Sequence, residues 1–156
     1  MLLPPNPTNH CFGCGGANAR GMQLTFDQDD AAKRIRGTFS IGPEYQGATG
    51  FLHGGIIATL LDEVMAKVSR FAQDHAVTAE LVVEYRKPVP VGHDLVVEGW
   101  ETGRNGRVRE RAGEIRNSSG VVLARGRATF IEVSRAQFYS SSNAGDGAAS
   151  PESKQK

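Results

Sequence analysis

The chain has 156 residues, of which 39% are hydrophobic and 22% charged, and its formal net charge is +1. This length supports one domain with a buried core and leaves too little chain for two, while the small net charge argues against a general nucleic-acid-binding protein. The first residues lack the basic and apolar regions of a secretory signal, and no stretch approaches transmembrane length. We therefore expect a cytoplasmic protein without membrane contact.

Residues 1–21 predict an irregular arm, because prolines and glycines interrupt this segment throughout. The arm contains a C-x-x-C pair, Cys11 and Cys14, which is compatible with a metal site or a redox pair. A structural zinc usually takes four ligands from two such pairs, and a redox pair usually lies where a strand meets a helix. Since the sequence offers neither arrangement, we interpret both residues as reduced thiols and expect no metal and no cofactor.

A β-hairpin is predicted next, because apolar and polar residues alternate before and after an acidic turn at residues 27–30. A loop at residues 44–52 then leads to a long helix, predicted for residues 54–72 by apolar side chains at helical spacing. Glu63 and Lys67 lie four residues apart on this helix and predict an ion pair. Asp62 has no such partner, so it is the acid of greater interest.

Four further strands are predicted after the helix, at residues 77–85, 94–102, 108–116 and 121–133. Their alternation and their Asn-Gly and Ser-Gly turns are typical of an antiparallel meander. Two strands, one apolar helix and four strands predict an α+β fold in which a curved antiparallel sheet wraps around a central helix. We assign residues 22–139 to this domain and expect a disordered tail at residues 140–156.

The start of the helix has the composition of a catalytic site. Gly54 and Gly55 leave backbone N–H groups open to a ligand at the positive end of the helix dipole. Asp62 lies eight residues later, roughly 12 Å along the axis, so Gly54 and Asp62 of one chain cannot both reach a reacting carbonyl at about 3 Å. Two antiparallel helices related by a two-fold axis would bring them together, and we therefore predict an obligate homodimer.

The sequence from His53-Gly54-Gly55 to Asp62, with Thr78 and the segment Tyr85-Arg86-Lys87-Pro88-Val89-Pro90, resembles the hotdog-fold acyl-CoA thioesterases of the PaaI-like group. The segments His10-Cys11-Phe12-Gly13-Cys14-Gly15 and Gly21-Met22-Gln23-Leu24 are also similar to those of bacterial relatives. The resemblance covers roughly residues 9–133, and it implies the hotdog fold, thioester hydrolysis, an acyl-CoA substrate and a dimer or dimer of dimers.

The resemblance also implies a role for each matched residue. The Gly54 amide would stabilise the oxyanion, and Asp62 of the partner chain would attack the carbonyl or activate water. Thr78 would hydrogen-bond the water or the carboxylate, and His53 would lie near the carbonyl and hold the loop. His53 can equally serve as a structural cap of the helix, and Asp62 as a polar residue at the dimer seam, hydrogen-bonded to Thr59.

Substrate binding is expected from Gly55, Gln46, Arg86 and Lys87. Several relatives have an Asn six residues before the histidine, where this chain has Gly47, and Gln46 is the candidate substitute. Basic side chains bind phosphates, so Arg86 and Lys87 are candidates for coenzyme A. For the three alternating arginines of the later strand we favour a solvated outer sheet face; they are Arg107, Arg109 and Arg111.

Two other functions remain open. A hotdog protein can bind acyl-CoA without turnover, although the retained Asp62 argues against this. A hotdog dehydratase would need a histidine and an acid across the substrate, and His53 is the only well-placed histidine. Tyr45, Phe51 and Trp100 are candidates to line the acyl pocket or to belong to the core.

Overall fold

Seven strands and one long helix make up the described part of the chain, which in this computed structural model comprises residues 1–134 and residue 136. The predicted tail at residues 140–156 lies outside the described residues. The elements are β1 (Leu2–Leu3), β2 (Phe26–Asp29), β3 (Arg34–Ser40), a 3-10 turn (Pro43–Tyr45), α1 (Gly54–Lys67), α2 (Ser69–Ala72), β4 (Ala76–Tyr85), β5 (Asp94–Asn105), β6 (Val108–Asn117) and β7 (Val122–Glu132). Among these residues, no helix is both long enough and apolar enough to span a membrane.

The strands form one antiparallel sheet in the order β1-β2-β3-β5-β6-β7-β4. Strands β5, β6 and β7 follow one another as a meander, whereas β4 crosses over to pair with β7. Strand β4 therefore forms one edge of the sheet, next to the strand that ends the meander. Its ten residues have a hydrogen-bonded neighbour strand on one side only.

A row of glycines lets α1 press against the concave face of the sheet. Gly99, Gly113 and Gly126 are register partners on β5, β6 and β7. A Cβ at Gly99 would lie 3.0 Å from the Val64 carbonyl group, and one at Gly126 would lie 3.1 Å from the Met65 side chain. Leu60, Leu61, Val64 and Met65 are consequently fully buried. This confirms the predicted α+β fold with a sheet around one central helix.

The N-terminal arm is part of this sheet. Its first residues form β1, which pairs with β2 at Leu2 with Asp27 and at Leu3 with Phe26. Residues 22–25, expected to begin the hairpin, instead hydrogen-bond to the arm: the Met22 amide donates to the Phe12 carbonyl at 2.7 Å. The first hairpin strand therefore starts at Phe26, because backbone amides of the preceding residues already hydrogen-bond to the arm.

The helix predicted for residues 54–72 is divided at Val68 into α1 and α2. The buried Arg111 guanidinium lies at this division, where it donates to the Met65 carbonyl at 3.0 Å and to the Ser69 hydroxyl at 2.9 Å. The Met65 carbonyl belongs to the last turn of α1 and also accepts from the Val68 amide at 3.2 Å, so Arg111 adds a second donor at this helix end. The spacing of apolar residues in 54–72 cannot predict this division of the helix, because the contacting Arg111 belongs to β6, a distant part of the sequence.

The expectation of a solvated face for the arginines of β6 is wrong for two of the three. Arg109 and Arg111 are only 4% and 1% exposed, and both lie beside the Asp74 carboxylate, Arg109 Nε at 2.9 Å and Arg111 at 3.6 Å. Arg111 also stacks on the Phe130 ring, 4.5 Å from its centroid. The charges are tolerated because they are paired and hydrogen-bonded. Arg107 is exposed, as expected.

Candidate active site

The first turn of α1 leaves one backbone N–H available. The Gly55 amide donates to His53 Nδ1 at 2.9 Å, and the amides of Ile56 and Ile57 donate to the His53 carbonyl at 2.9 and 3.1 Å. Within residues 1–134, the Gly54 amide has no hydrogen-bond acceptor. Gly54 is the first residue of α1, where the helix dipole favours negative charge. The arrangement can therefore hold a developing oxyanion at one defined N–H group.

His53 is the N-cap of α1. Its Nδ1 accepts the Gly55 hydrogen bond, so in the neutral ring the proton lies on Nε2. Its backbone amide donates to the Tyr45 carbonyl at 3.0 Å, which ties the preceding loop to the helix start. The side-chain contact of His53 caps the helix, and its backbone contact holds the preceding loop. A Cβ at Gly55 would lie 3.1 Å from His53 Nδ1, so the second glycine leaves room for this cap.

Asp62 lies two turns further along α1 and is half-buried. Thr78 on β4 donates its hydroxyl hydrogen to Asp62 Oδ1 at 2.7 Å, within one chain. Burial raises the pKa of Asp62 above the ordinary aspartate value, the Thr78 hydrogen bond opposes this, and the nearby charge of Glu63 adds to it. Thr59, the alternative partner, donates instead to the Gly55 carbonyl. Asp62 is thus a carboxylate whose basicity is increased and whose orientation is fixed by one hydroxyl.

Strand β4 contacts α1 at its first residue and near its middle. Thr78, near its start, reaches Asp62, and Tyr85, its last residue, donates its hydroxyl hydrogen to the Gly54 carbonyl at 3.0 Å. In the sequence Tyr85 belongs to the alternation of the strand and to the segment that resembles the thioesterases, and neither pattern predicts this contact. No local pattern gives Tyr85 a role, because the predicted meander pairs this strand with the next one, whereas β4 pairs with β7 and lies at the sheet edge. Tyr85 is 55% exposed, so it covers the helix start while remaining open to a ligand or to another chain.

The remaining predicted binding residues lie on exposed loops. Gln46 Oε1 accepts a hydrogen bond from the Gly50 amide at 3.1 Å, so this side chain closes the loop before α1. A Cβ at Gly47 would lie 3.1 Å from His53 Cα, which leaves little space for the asparagine that the resemblance implies at this position. Arg86 and Lys87 are exposed just after β4, and Arg86 Nε lies 3.3 Å from Glu84.

The two cysteines lie against the outer side of α1. Cys11 donates to Glu63 Oε1 at 3.1 Å, and Lys67 Nζ donates to Cys14 Sγ at 3.0 Å. The prediction of a Glu63–Lys67 ion pair is therefore wrong: in the described part of the chain, each of the two side chains contacts a thiol of the arm instead. Burial, together with the hydrogen bond to Glu63, raises the pKa of Cys14 to about 12. A thiol with this pKa is a poor nucleophile.

A groove of about 590 Å³ crosses the convex face of the sheet, and its lining includes Val82, Trp100 and Arg127. The Arg34 guanidinium lies over the Trp100 ring, 4.0 Å from its centroid. Neither Gly54 nor Asp62 belongs to the lining of this groove. Of the three aromatic candidates, Trp100 lies on this face, Phe51 is exposed, and Tyr45 packs partly against the core.

Similarity to known proteins agrees with this geometry. The family model of the thioesterase superfamily matches residues 49–124, which include His53, Gly54, Asp62 and Thr78. The chain is 38% identical over 77 residues to acyl-coenzyme A thioesterase THEM4 of Rattus norvegicus and 37% identical over 60 residues to acyl-coenzyme A thioesterase THEM5 of Mus musculus. These segments are 49% and 38% of this chain but 33% and 24% of the relatives. The chain thus spans a third or less of the length of these two curated relatives.

Solved structures show the same fold. A structure described as a thioesterase superfamily protein is similar with a TM-score of 0.73 at 30% identity, covering 78% of this chain and 60% of that one. The structure of smu.793 from Streptococcus mutans UA159, bound to acetyl CoA, is similar with a TM-score of 0.62 at 23% identity, covering 65% of this chain and 82% of that one. The architecture is that of the hotdog fold, and residues 49–124 are similar to the thioesterase superfamily.

Proposed function

We propose that this protein is an acyl-CoA thioesterase, which hydrolyses an acyl-CoA thioester to the free acid and coenzyme A. The observation that carries the proposal is the unpaired N–H of Gly54 at the positive end of α1, together with the oriented, more basic carboxylate of Asp62 on the same helix. Thioester hydrolysis needs both an oxyanion donor and a base or nucleophile. The naming of THEM4 and THEM5 as acyl-coenzyme A thioesterases supports the same activity.

In the proposed reaction the thioester carbonyl oxygen accepts the Gly54 N–H. Asp62 either removes a proton from an attacking water or attacks the carbonyl carbon itself, giving an anhydride that water then hydrolyses. In both routes a C–O bond forms, the C–S bond breaks, and coenzyme A leaves as the thiol after taking up a proton. Thr78 orients the Asp62 carboxylate, and His53 holds the helix start through its cap.

We propose a homodimer in which β4 of one chain lies against β4 of its partner. This strand is an unpaired sheet edge ten residues long, with Val82 43% and Tyr85 55% exposed. Such an edge readily pairs with another strand. A two-fold axis near the middle of β4 would bring Gly54 of one chain close to Asp62 of the other, although the two residues of one helix are roughly 12 Å apart. A dimer of dimers would retain this arrangement.

We propose that the coenzyme A arm follows this seam, with Arg86 and Lys87 near its phosphates and Gln46 beside the thioester. Both basic residues follow β4 directly and are exposed. The Gly55 amide is already used by His53, so Gly55 would contribute to binding only through its small size. The free thiols of Cys11 and Cys14 are typical of proteins from reducing compartments, which supports a cytoplasmic location.

The test is thiol release from a panel of short, long and aromatic acyl-CoAs by the wild type and by Asp62→Ala. We expect turnover of at least one substrate class and a loss of 100-fold or more in the variant, about the size of a lost base, with the oligomeric state unchanged. Binding of acyl-CoA without turnover would favour the non-catalytic alternative. Loss of water from a β-hydroxyacyl-CoA, without thiol release, would favour the dehydratase.

A further inference from the structure

We propose that Cys11, Cys14 and Glu63 form a binding site for a soft divalent cation, Zn²⁺ by preference. One donor atom from each of the three residues lies within 4.8 Å of the other two. Cys11 Sγ and Glu63 Oε1 are 3.1 Å apart, and a small outward movement of roughly 0.5 Å gives the separation of about 3.6 Å that Zn–S and Zn–O bonds span at a tetrahedral angle. The site is distinct from the proposed active site and does not depend on the proposed activity.

The arm is folded so that both thiols point at α1. The Cys11 amide donates to Asn9 Oδ1 at 2.7 Å, and the Gly15 amide donates to the Cys11 carbonyl at 3.0 Å. A Cβ at Gly15 would lie 2.4 Å from the Asn9 carbonyl oxygen, so the turn after Cys14 closes only with glycine. The sequence Cys-x-x-Cys-Gly therefore forms a tight turn that presents two sulfur atoms in one direction.

Glu63 reaches the thiols because Gly13, between the cysteines, leaves space for it. A Cβ at Gly13 would lie 2.4 Å from Glu63 Cγ. The carboxylate thus occupies the volume that any other residue at position 13 would fill. Fifty-two residues separate Cys11 from Glu63, so the contact is tertiary and joins the arm to the middle of α1.

The charges around the three donors favour a dication. Two thiolates and one carboxylate carry three negative charges, and the ammonium group of Lys67, 3.0 Å from Cys14 Sγ, carries one positive charge. A divalent cation makes the group neutral, and two thiol protons leave for solvent when it binds. Thiolate ligands select zinc over magnesium or calcium. Three protein ligands leave a fourth tetrahedral position for water.

The test is metal binding by the full chain, purified with a thiol-free reductant and stripped with a chelator. Zn²⁺ is titrated by calorimetry, and Co²⁺ is used as a spectroscopic probe of tetrahedral thiolate coordination. We expect one ion per chain, a sulfur-to-cobalt charge-transfer band, and a higher thermal midpoint with Zn²⁺ than without it. Cys11→Ser and Cys14→Ser should each weaken Zn²⁺ binding by about 100-fold or more, beyond the loss typical of an outer-shell residue.

Glu63→Gln is the variant that keeps the shape of the site, since it changes only the carboxylate. It should bind Zn²⁺ more weakly with the fold intact by circular dichroism, whereas Glu44→Gln, an exposed acid elsewhere, should bind as the wild type does. Binding that is unchanged in the cysteine variants would overturn the proposal. So would a wild-type chain that binds no Zn²⁺ when reduced, including one whose cysteines only form a disulfide in air.

Discussion

At the scale of single residues, Asp62 combines a functional and an energetic effect. Its carboxylate is half-buried beside apolar helix residues and receives one hydrogen bond, from Thr78. Its pKa is raised, chiefly by burial, so the ionised form is less stable in the folded chain than in the unfolded one. The carboxylate that we propose as the base or nucleophile therefore costs stability, as is common where a functional site departs from the best-packed sequence.

This cost has a definite sign. Because the pKa of Asp62 is higher in the folded state, the folded chain binds more protons, and stability falls as pH rises through the unfolded and then the folded pKa. Asp62→Asn removes the charge and retains an oxygen that can accept from Thr78. We expect a variant with a higher thermal midpoint than the wild type at pH 7 and a smaller difference near pH 3, measured by thermal denaturation.

The same pKa fixes the direction of the activity profile. If Asp62 acts as an anion, kcat/KM falls on the acid side with an apparent pKa above the ordinary aspartate value.

For the stability prediction, an Asp62→Asn variant that is no more stable than the wild type at pH 7 would contradict the burial assigned to this carboxylate.

At the scale of elements, the contact between α1 and the sheet depends on the glycine row. Gly99→Ala places a methyl group 3.0 Å from the Val64 backbone, which cannot move without shifting the helix. We expect a loss of about 1–3 kcal/mol in the free energy of unfolding, as for overpacked cores, measured by denaturant unfolding. Gly103→Ala on the same strand is the control. Its Cβ would meet the flexible end of Glu110 at 2.8 Å, so we expect a change within about 0.5 kcal/mol.

A second element contact is the buried pair of arginines on β6 with Asp74. Burial opposes the ionisation of Asp74, but hydrogen bonds from Arg109 and Ser69 and the charges of Arg111 and Arg109 leave its pKa below the ordinary value. The unfolded chain therefore binds more protons, so the stabilisation is complete above the unfolded pKa, about 3.9, and is lost as pH falls from there through the folded pKa.

Asp74→Asn should destabilise the chain by about 3–5 kcal/mol at pH 7, the usual result of removing one partner from a buried ion pair. The difference from the wild type should shrink below pH 4, because the unfolded wild-type chain then binds a proton at Asp74 that the folded chain takes up only at lower pH. Denaturant unfolding at pH 7 and at pH 3 measures both values. An equal difference at the two pH values would show that packing, and not charge, accounts for the effect.

Sequence reasoning succeeded where one element carries its own signal. The helix start at Gly54, the acid at Asp62 and the alternating strands are local patterns, and the structure has each of them at or near the expected position. It failed where distant segments meet. The i, i+4 rule pairs Glu63 with Lys67, but the thiols of the arm take both side chains. Likewise, alternation makes Arg111 look solvated, whereas Asp74, Ser69 and Phe130 bury it.

At the scale of the whole molecule, one chain presents the two halves of the proposed site at separate places on α1, its first residue and its middle. The unpaired amide of Gly54 and the carboxylate of Asp62 are roughly 12 Å apart along the axis, and β4, the exposed edge, runs alongside both. A dimer joined at this edge would hold two complete sites, each made from both chains. Dissociation of the dimer should therefore abolish activity even though each chain retains its fold.

Gly54→Pro allows a clean test of the amide. Proline lacks the N–H and is tolerated at the first position of a helix, and His53 already has the extended backbone that a residue before proline requires, with φ −62° and ψ 140°. Gly54→Ala keeps the N–H, and its Cβ would lie an ordinary 3.5 Å from Tyr85. We expect a loss of about 100- to 1000-fold in kcat for the proline variant and little change for the alanine variant.

The most direct measurement is the activity of a mixed dimer of Gly54→Pro and Asp62→Asn chains, purified through two different affinity tags. If each site takes Gly54 from one chain and Asp62 from the other, the mixed dimer has one intact site and one doubly altered site. We predict about half of the wild-type activity per dimer, although both parent dimers are inactive. A mixed dimer as inactive as its parents would contradict the shared site.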